Sequence, residues 1–326
     1  MISRRTLLRF AAIAAAAPGL PGRAARAQAW PSRYIRLVVP FPPGGGTDAV
    51  ARILANRLSE TWGQQVVIEN RGGAGGNMAF DTVAHAEPDG HTMLIAAIGI
   101  GINRYLYGAV NYELADFAPV SLICVFPNLM AVPNSSPAKS VQEFIAYAKA
   151  NRGRVTYGSS GTGTSTHLAG ELFKRLAGVE LTHVPYRGVA PVINDLIPGR
   201  VDVTFNTIGG LLPQVRSGNL RALAVTTPQR FPSVPEIPTI AESGVPGFDV
   251  SSWYGFFVPA RTPAPIVARM HADTVALLAE PALKDQLEKL GVMVVGSTPQ
   301  ALSAQLKSEI DKWGPIIRDS RIKAEE

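Results

Sequence analysis

The stretch "VVPFPPGGGTDAVARIL" (residues 38–54) carries the fold reading. It opens as an apolar strand, breaks at Pro40-Phe41-Pro42-Pro43, passes through Gly44, Gly45 and Gly46, and leaves on an amphipathic helical pattern. Thr47 and Asp48 are residue types that cap helix N-termini, which predicts a helix beginning there. A glycine run between strand and helix leaves backbone N–H groups bare beside the positive end of the helix dipole, the physical make-up of an anion site. Phe41 to Asp48 is therefore a candidate binding loop, with the N–H groups of Gly45, Gly46, Thr47 and Asp48 as donors.

The same order returns in "VTYGSSGTGTSTHLAGELFKRL" (155–176), where Ser159 to Ser165 forms the loop and supplies hydroxyls as well as N–H groups. Both segments continue alike. Gly63 and Gly178 stand where helices end, and the apolar strands 66–68 and 181–184 follow. Glycine turns come next, "ENRGGAGGN" (69–77) and "PYRGVAP" (185–191), then a helix and a third strand, "HTMLIAAI" (91–98) or "VDVTFNTI" (201–208). Two βαβαβ units predict an α/β protein with mostly parallel sheets flanked by helices, binding its ligand beyond the carboxyl ends of the strands.

Turn-rich stretches divide the chain. "VPNSSPAKS" (132–140) precedes a helical pattern at 141–151, and residues 227–249 are rich in proline. Helical patterns at 264–279, 281–290 and 298–318 close the chain. The expected organisation is a first domain of residues 28–131 with 251–326 and a second of 132–250, so that two chain crossings form a hinge over a cleft.

The N-terminus reads as a leader. Arg4 and Arg5 precede a short apolar stretch, Leu7 to Ala17, and Ala25-Arg26-Ala27 is a cleavage pattern. Residues 1–27 are thus expected to be a twin-arginine-type signal peptide, cut near Ala27-Gln28 on export to the periplasm. Those residues hold five arginines and no acid, so their removal takes the formal charge from +6 to +1. A near-neutral chain has no net electrostatic reason to bind nucleic acid. Cys124, the only cysteine, sits among Leu122, Ile123, Val125 and Phe126 and reads as a core thiol.

Groups that could do chemistry are few. No lysine of the G-x-x-x-x-G-K-[ST] type follows either loop, and Thr166 stands where G-x-G-x-x-G would need its last glycine. Gly158-Ser159-Ser160-Gly161-Thr162 lacks the closing glycine of G-x-S-x-G. His167 reads as support for its loop, and His85, His91, His183 and His271 show no metal-ligand spacing. Asp48 reads as a cap rather than a general base. The result is an anion clamp with neither metal nor cofactor, suited to a small carboxylate or one with a carboxylate at each end.

These motifs, with "VIENRGGAGGN", "VPYRG", "GRVDVTF" and "WYGFFVPARTP", resemble the Bug receptors, the periplasmic solute-binding proteins of tripartite tricarboxylate transporters. The resemblance runs over the whole chain after the leader. It implies a type II periplasmic-binding-protein fold, two α/β domains closing on a small organic carboxylate, and delivery to membrane transporter subunits by a monomer. It also implies a ligand carboxylate held by Phe41, Gly45, Gly46, Thr47 and Asp48 from one side. Ser160, Gly161, Thr162, Gly163 and Thr164 would hold it from the other, joined by Asn77, Gly188, Asp202 and Asn206. The segment "AAIGIGINRYLY" (96–107) lines the cleft in such receptors and is apolar here up to Asn103, which favours an aromatic or plain aliphatic carboxylate. A periplasmic sensor needs the same clamp and stays open as an alternative, as does a secreted hydrolase using Ser160 and His167.

Overall fold

The computed structural model describes residues 30–319 and 322–324; the expected leader, residues 1–27, lies outside them. The first βαβαβ unit runs β1 (Ile35–Val39), α1 (Gly46–Trp62), β2 (Val66–Asn70), α2 (Asn77–Ala84), β3 (Thr92–Ala96) and on into α3 (Gly99–Leu106). The second runs β5 (Thr156–Ser159), α5 (Ser165–Ala177), β6 (Thr182–Pro185), α6 (Val189–Leu196), β7 (Val203–Thr207) and α7 (Ile208–Arg216). Between them lie β4 (Phe117–Pro133) and α4 (Val141–Ala150); β8 (Leu220–Val225) and β9 (Ser251–Pro259) follow. The chain ends with α8 (Ala264–Leu278), α9 (Pro281–Glu288), β10 (Met293–Val294) and α10 (Pro299–Asp319).

Within each unit the three strands are parallel, in the orders β2-β1-β3 and β7-β5-β6. Antiparallel strands then join them: β9 pairs with β3 and β4, and β4 pairs with β7, β8 and β10. The long strand β4 belongs to both halves. Its residues from Phe117 to Pro127 pair with β9, and from Asn128 onward its partners are β7 and β8. Ser251, the first residue of β9, lies opposite Pro127, so the two chain segments that join the halves run side by side. Thr226 ties them: its hydroxyl donates to the carbonyl of Val250 at 2.7 Å and accepts from the amide of Asn128 at 2.9 Å.

Side chains alternate between two cores, as a pleated strand requires. Leu37 and Val39 enter one core with Val50, Leu54 and Leu58 of α1, whereas Val38 enters the other with Phe80 and Leu94. Each such side chain, once buried, contributes about 1.5–3 kcal/mol. Helices α1 and α5 end where the sequence places their stops, on Gly63 (φ 64°) and Gly178 (φ 62°), whose left-handed backbone glycine accepts without a Cβ penalty. Helix α1 starts differently from expectation. Its cap is Gly45, and Asp48 sits one turn in, its carboxylate reaching back 3.0 Å to the amide of Gly44. Cys124 is fully buried, as its neighbours imply, and burial pushes its thiol pKa up.

Candidate ligand-binding cleft

The carboxyl ends of the parallel strands of both units face one cleft enclosing about 820 Å³, its open mouth included. Helices α1, α3, α5, α6 and α7 all begin there: Gly46, Gly99, Ser165, Val189 and the α7 cap Thr207 line it. The first-turn N–H groups of a helix have no intrahelical acceptor, and each dipole adds positive potential. Among the described residues no carboxylate side chain lines the cleft, and Arg187 is the only charged side chain that does. Tyr254 accepts a hydrogen bond from the Thr47 hydroxyl at 2.8 Å, and burial raises its pKa, so it stays a neutral phenol. The sign of the site is positive.

Of the residues expected to hold the ligand, Phe41, Gly45, Gly46, Thr47, Ser160, Gly163, Thr164 and Gly188 line the cleft. Asp48 lies behind it, 4% exposed, holding Gly44, Arg52 (2.8 Å) and Asn70 (2.9 Å). Burial pushes its carboxyl pKa up, but those hydrogen bonds and the guanidinium outweigh it and the net shift is downward. It orders the loop. Asn77 is also behind the wall: its Oδ1 accepts from Asn103 at 2.7 Å and from the Tyr112 hydroxyl at 3.0 Å. Asn206 is fully buried and accepts from the hydroxyl of Ser160 at 2.7 Å.

The second loop differs from expectation in which atoms it offers. The amides of Ser160, Gly161 and Gly163 bond within the loop and its helix, to Thr166 Oγ1 (2.9 Å), Ser159 Oγ (3.2 Å) and His167 Nδ1 (3.4 Å). Gly161 and Thr162 do not line the cleft; the carbonyl of Thr162 instead accepts from the Tyr107 hydroxyl at 3.0 Å. The free donors on this side belong to Ser165 and Thr166, the first residues of α5. Asp202 stands at the other end of its strand. It precedes β7 and accepts from the amide and hydroxyl of Thr156 at 2.8 and 2.9 Å. Thr207, at the carboxyl end, is the residue of that strand in the cleft, roughly 16 Å away at ~3.3 Å per residue.

Several lining residues were not expected. Ser252, Trp253 and Tyr254 of β9 form part of the wall with Phe126 of β4. The pairing of β9 with β4 brings them to the cleft. Ser252 Oγ lies 2.6 Å from Ser165 Oγ and 3.1 Å from Asn128 Oδ1. Trp253 is 1% exposed, and its indole N–H has no hydrogen-bond partner among the described residues.

The hydrolase pair does not form. Ser160 bonds to Asn206, while His167 stacks on His183 with ring centroids 4.4 Å apart. Ser159, not Ser160, approaches a histidine: its Oγ lies 2.6 Å from His183 Nε2. Neither member of that pair lines the cleft. Among the described residues no cluster of histidine, cysteine and acidic side chains has the make-up of a metal site.

A two-lobed α/β clamp with a positive cleft defines a solute-binding protein. Residues 50–322 match the family described as tripartite tricarboxylate transporter family receptor, and the chain belongs to that family. A relative from Pseudomonas sp. strain P51, described as a UPF0065 protein in the tcbD-tcbE intergenic region, is 42% identical over 99% of this chain and 96% of its own. Protein BugT of Bordetella pertussis is 33% identical over 91% of this chain and 92% of its own. The solved structure of R. palustris Rpa4515 with adipate superposes with a TM-score of 0.86 at 41% identity, covering 89% of this chain and 97% of that one. MatC from Rhodopseudomonas palustris with bound malate gives 0.84 at 34% identity, covering 88% and 100%.

Proposed function

We propose that this receptor is exported to the periplasm, loses residues 1–27, closes as a monomer on a small organic carboxylate, and presents it to membrane subunits of a tripartite tricarboxylate transporter. The observation that carries this reading is the convergence of helix N-termini on a cleft that no acidic side chain lines among the described residues. Each N-terminus favours an anion by about 0.3–1 kcal/mol, and by up to ~2 kcal/mol when partly buried. The adipate and malate held by the two similar structures support a carboxylate as ligand.

We take residues 28–131 with 251–326 as one closing half and 132–250 as the other. The partner change in β4 at Pro127 and Asn128, beside the start of β9, supports a hinge there. The protein needs no cofactor and catalyses nothing in this reading. The test is a thermal-shift screen of purified protein against carboxylates, amines and sugars. A carboxylate at a hundred times Kd is expected to stabilise the fold by about 2.7 kcal/mol. Shifts from amines or sugars with none from carboxylates would refute the proposal.

A further inference from the structure

The turn between β2 and α2 passes through four successive residues of positive φ: Gly73 (132°), Ala74 (46°), Gly75 (62°) and Gly76 (99°). Ala74 is the one non-glycine with a positive φ among the described residues, and such a conformation persists only where its surroundings hold it. Three hydrogen bonds help: the amide of Arg71 donates to the carbonyl of Val39 at 2.8 Å, that of Gly76 to Gly73 at 2.9 Å, and Asn103 Nδ2 to the carbonyl of Gly75 at 3.1 Å. The rest is packing on glycine. A Cβ on Gly72 would lie 2.9 Å from Pro42 Cδ of the first binding loop, and one on Gly76 would lie 2.8 Å from Phe80. One on Gly73 would lie 2.6 Å from Met78 Sδ, so the thioether occupies the place of the side chain that Gly73 lacks.

These supports differ in how they meet water. Phe80 is buried, whereas Met78 is 56% exposed. Among the described residues Met93, Met130 and Met270 are fully buried, and Met293, on β10, is the one other methionine open to solvent, at 43%. Met78 is therefore where a dissolved oxidant reaches the support of the turn. The turn in turn touches both sides of the cleft: Gly72 lies on Pro42, and Gly75 lies on the carbonyl of Thr162 in the second half.

We propose that Met78 is a modification site, at which oxidation of the thioether to the sulfoxide by a hypohalous acid releases the turn and weakens ligand binding. Hypochlorous acid passes its oxygen to a sulfur lone pair. The S–O bond forms, the O–Cl bond breaks, chloride and a proton leave, and sulfur is oxidised by two electrons. The sulfoxide is polar, and seated against the Gly73 backbone it would give up hydration of its oxygen, so the side chain moves to water. The turn then loses the contact that sets Gly72 and Gly75 on the two loops, and fewer molecules close. Methionine sulfoxide is reduced enzymatically, which makes the effect reversible. The modification stands on the geometry of the turn; its effect on binding rests on the carboxylate-receptor reading.

The test treats the wild-type protein, Met78→Leu and Met293→Leu with limiting hypochlorous acid and locates the added oxygen by mass spectrometry of peptides. Both positions are exposed and leucine is close in volume to methionine, so the variants are expected to fold, and melting curves check this. Oxidation is expected at Met78 and Met293, with the three buried methionines unmodified. Hydrogen–deuterium exchange of the Arg71–Asn77 amides is expected to rise after oxidation in wild type and Met293→Leu, and to stay unchanged in Met78→Leu. Calorimetric titration with adipate is expected to follow the same pattern, with affinity about tenfold lower where Met78 is oxidised. Treatment with methionine sulfoxide reductases and dithiothreitol is expected to restore both readouts. An unmodified Met78 beside an oxidised Met293, unchanged exchange once Met78 is oxidised, or an equal response in Met78→Leu overturns the proposal and leaves the receptor reading standing. Should neither adipate nor any other carboxylate bind the untreated protein, the receptor reading falls, and the exchange data still decide whether Met78 holds the turn.

Discussion

Gly46 is the residue at which the anion-clamp argument is most exposed to test. It occupies the first position of α1, where proline is tolerated because the N–H has no intrahelical acceptor. Gly45 before it is extended (φ −87°, ψ 171°), the conformation a residue preceding proline requires. A Cβ at Gly46 would stand 3.7 Å from the Tyr254 hydroxyl and 3.8 Å from Thr207 Oγ1, ordinary contact distances. Gly46→Pro therefore keeps the helix and deletes one N–H. A lost hydrogen bond to a charged ligand costs about 1.5–3 kcal/mol, or ten- to hundredfold in affinity. Calorimetry beside melting curves checks this. Wild-type affinity in the folded variant would mean that the Gly46 amide does not face the ligand.

At the scale of elements, Asp48 and the histidine pair show two ways of fixing a loop. Asp48→Ala removes the carboxylate that holds Gly44, Arg52 and Asn70 together, so it is expected to lower stability by about 1–2 kcal/mol and to weaken binding only through the loop. Chemical denaturation alongside titration separates the two effects. A variant as stable as wild type would remove the loop-ordering role.

His167 and His183 lie behind the second loop, beside Glu171 and Lys174. Burial pushes their pKa values down to about 4 and about 3, and the neighbouring positive charges add to the shift. The unfolded chain binds protons at the ordinary histidine value near 6.5, above both folded values. Stability is thus fully present above pH 6.5 and falls between 6.5 and about 4, by up to ~1.4 kcal/mol per pH unit for each histidine. Denaturation curves from pH 7.5 to 4 are expected to show this loss, with a shallower slope in the double variant His167→Gln, His183→Gln. An equal slope would assign the acid sensitivity to carboxylates.

The strand–loop–helix order, both helix-ending glycines and the three C-terminal helices were legible because each is a local pattern of period, cap and stop. The α1 cap was read as Thr47 or Asp48 because sequence shows residue type, not how far a carboxylate reaches back. Asp202 came from resemblance alone, and the parallel direction of β7 puts it at the wrong end. Trp253 and Tyr254 could not be read as cleft residues, because they reach it through the pairing of β9 with β4, more than a hundred residues apart in sequence.

For the whole molecule the question is what the closed arrangement demands. Beside the cleft, Gly75 and Gly99 of the first half meet Gly163 of the second with no room for side chains. A Cβ on Gly75 would lie 2.3 Å from the carbonyl of Thr162, and one on Gly163 would lie 2.1 Å from Asn103 Oδ1. The Tyr107 hydroxyl crosses the same junction to Thr162 at 3.0 Å, and burial raises its pKa to about 12, so it remains a donor at any physiological pH. If the halves close by bringing these backbones together, Gly75→Ala acts as a wedge. Its left-handed backbone (φ 62°) adds strain of about 1–2 kcal/mol within its own turn, which melting curves report separately. The fraction of closed molecules sets the apparent affinity, so a wedge that leaves one molecule in a hundred able to close weakens binding about a hundredfold. Tyr107→Phe removes only the crossing hydrogen bond and leaves the space unchanged. It is expected to weaken binding several-fold, for a net loss of about 0.5–1.5 kcal/mol. The measurement is small-angle scattering with and without the carboxylate that gives the largest thermal shift. Wild type and Tyr107→Phe are expected to become more compact on binding, and Gly75→Ala to stay extended. A folded Gly75→Ala that compacts like wild type would show that the glycine junction is not the surface on which the halves close.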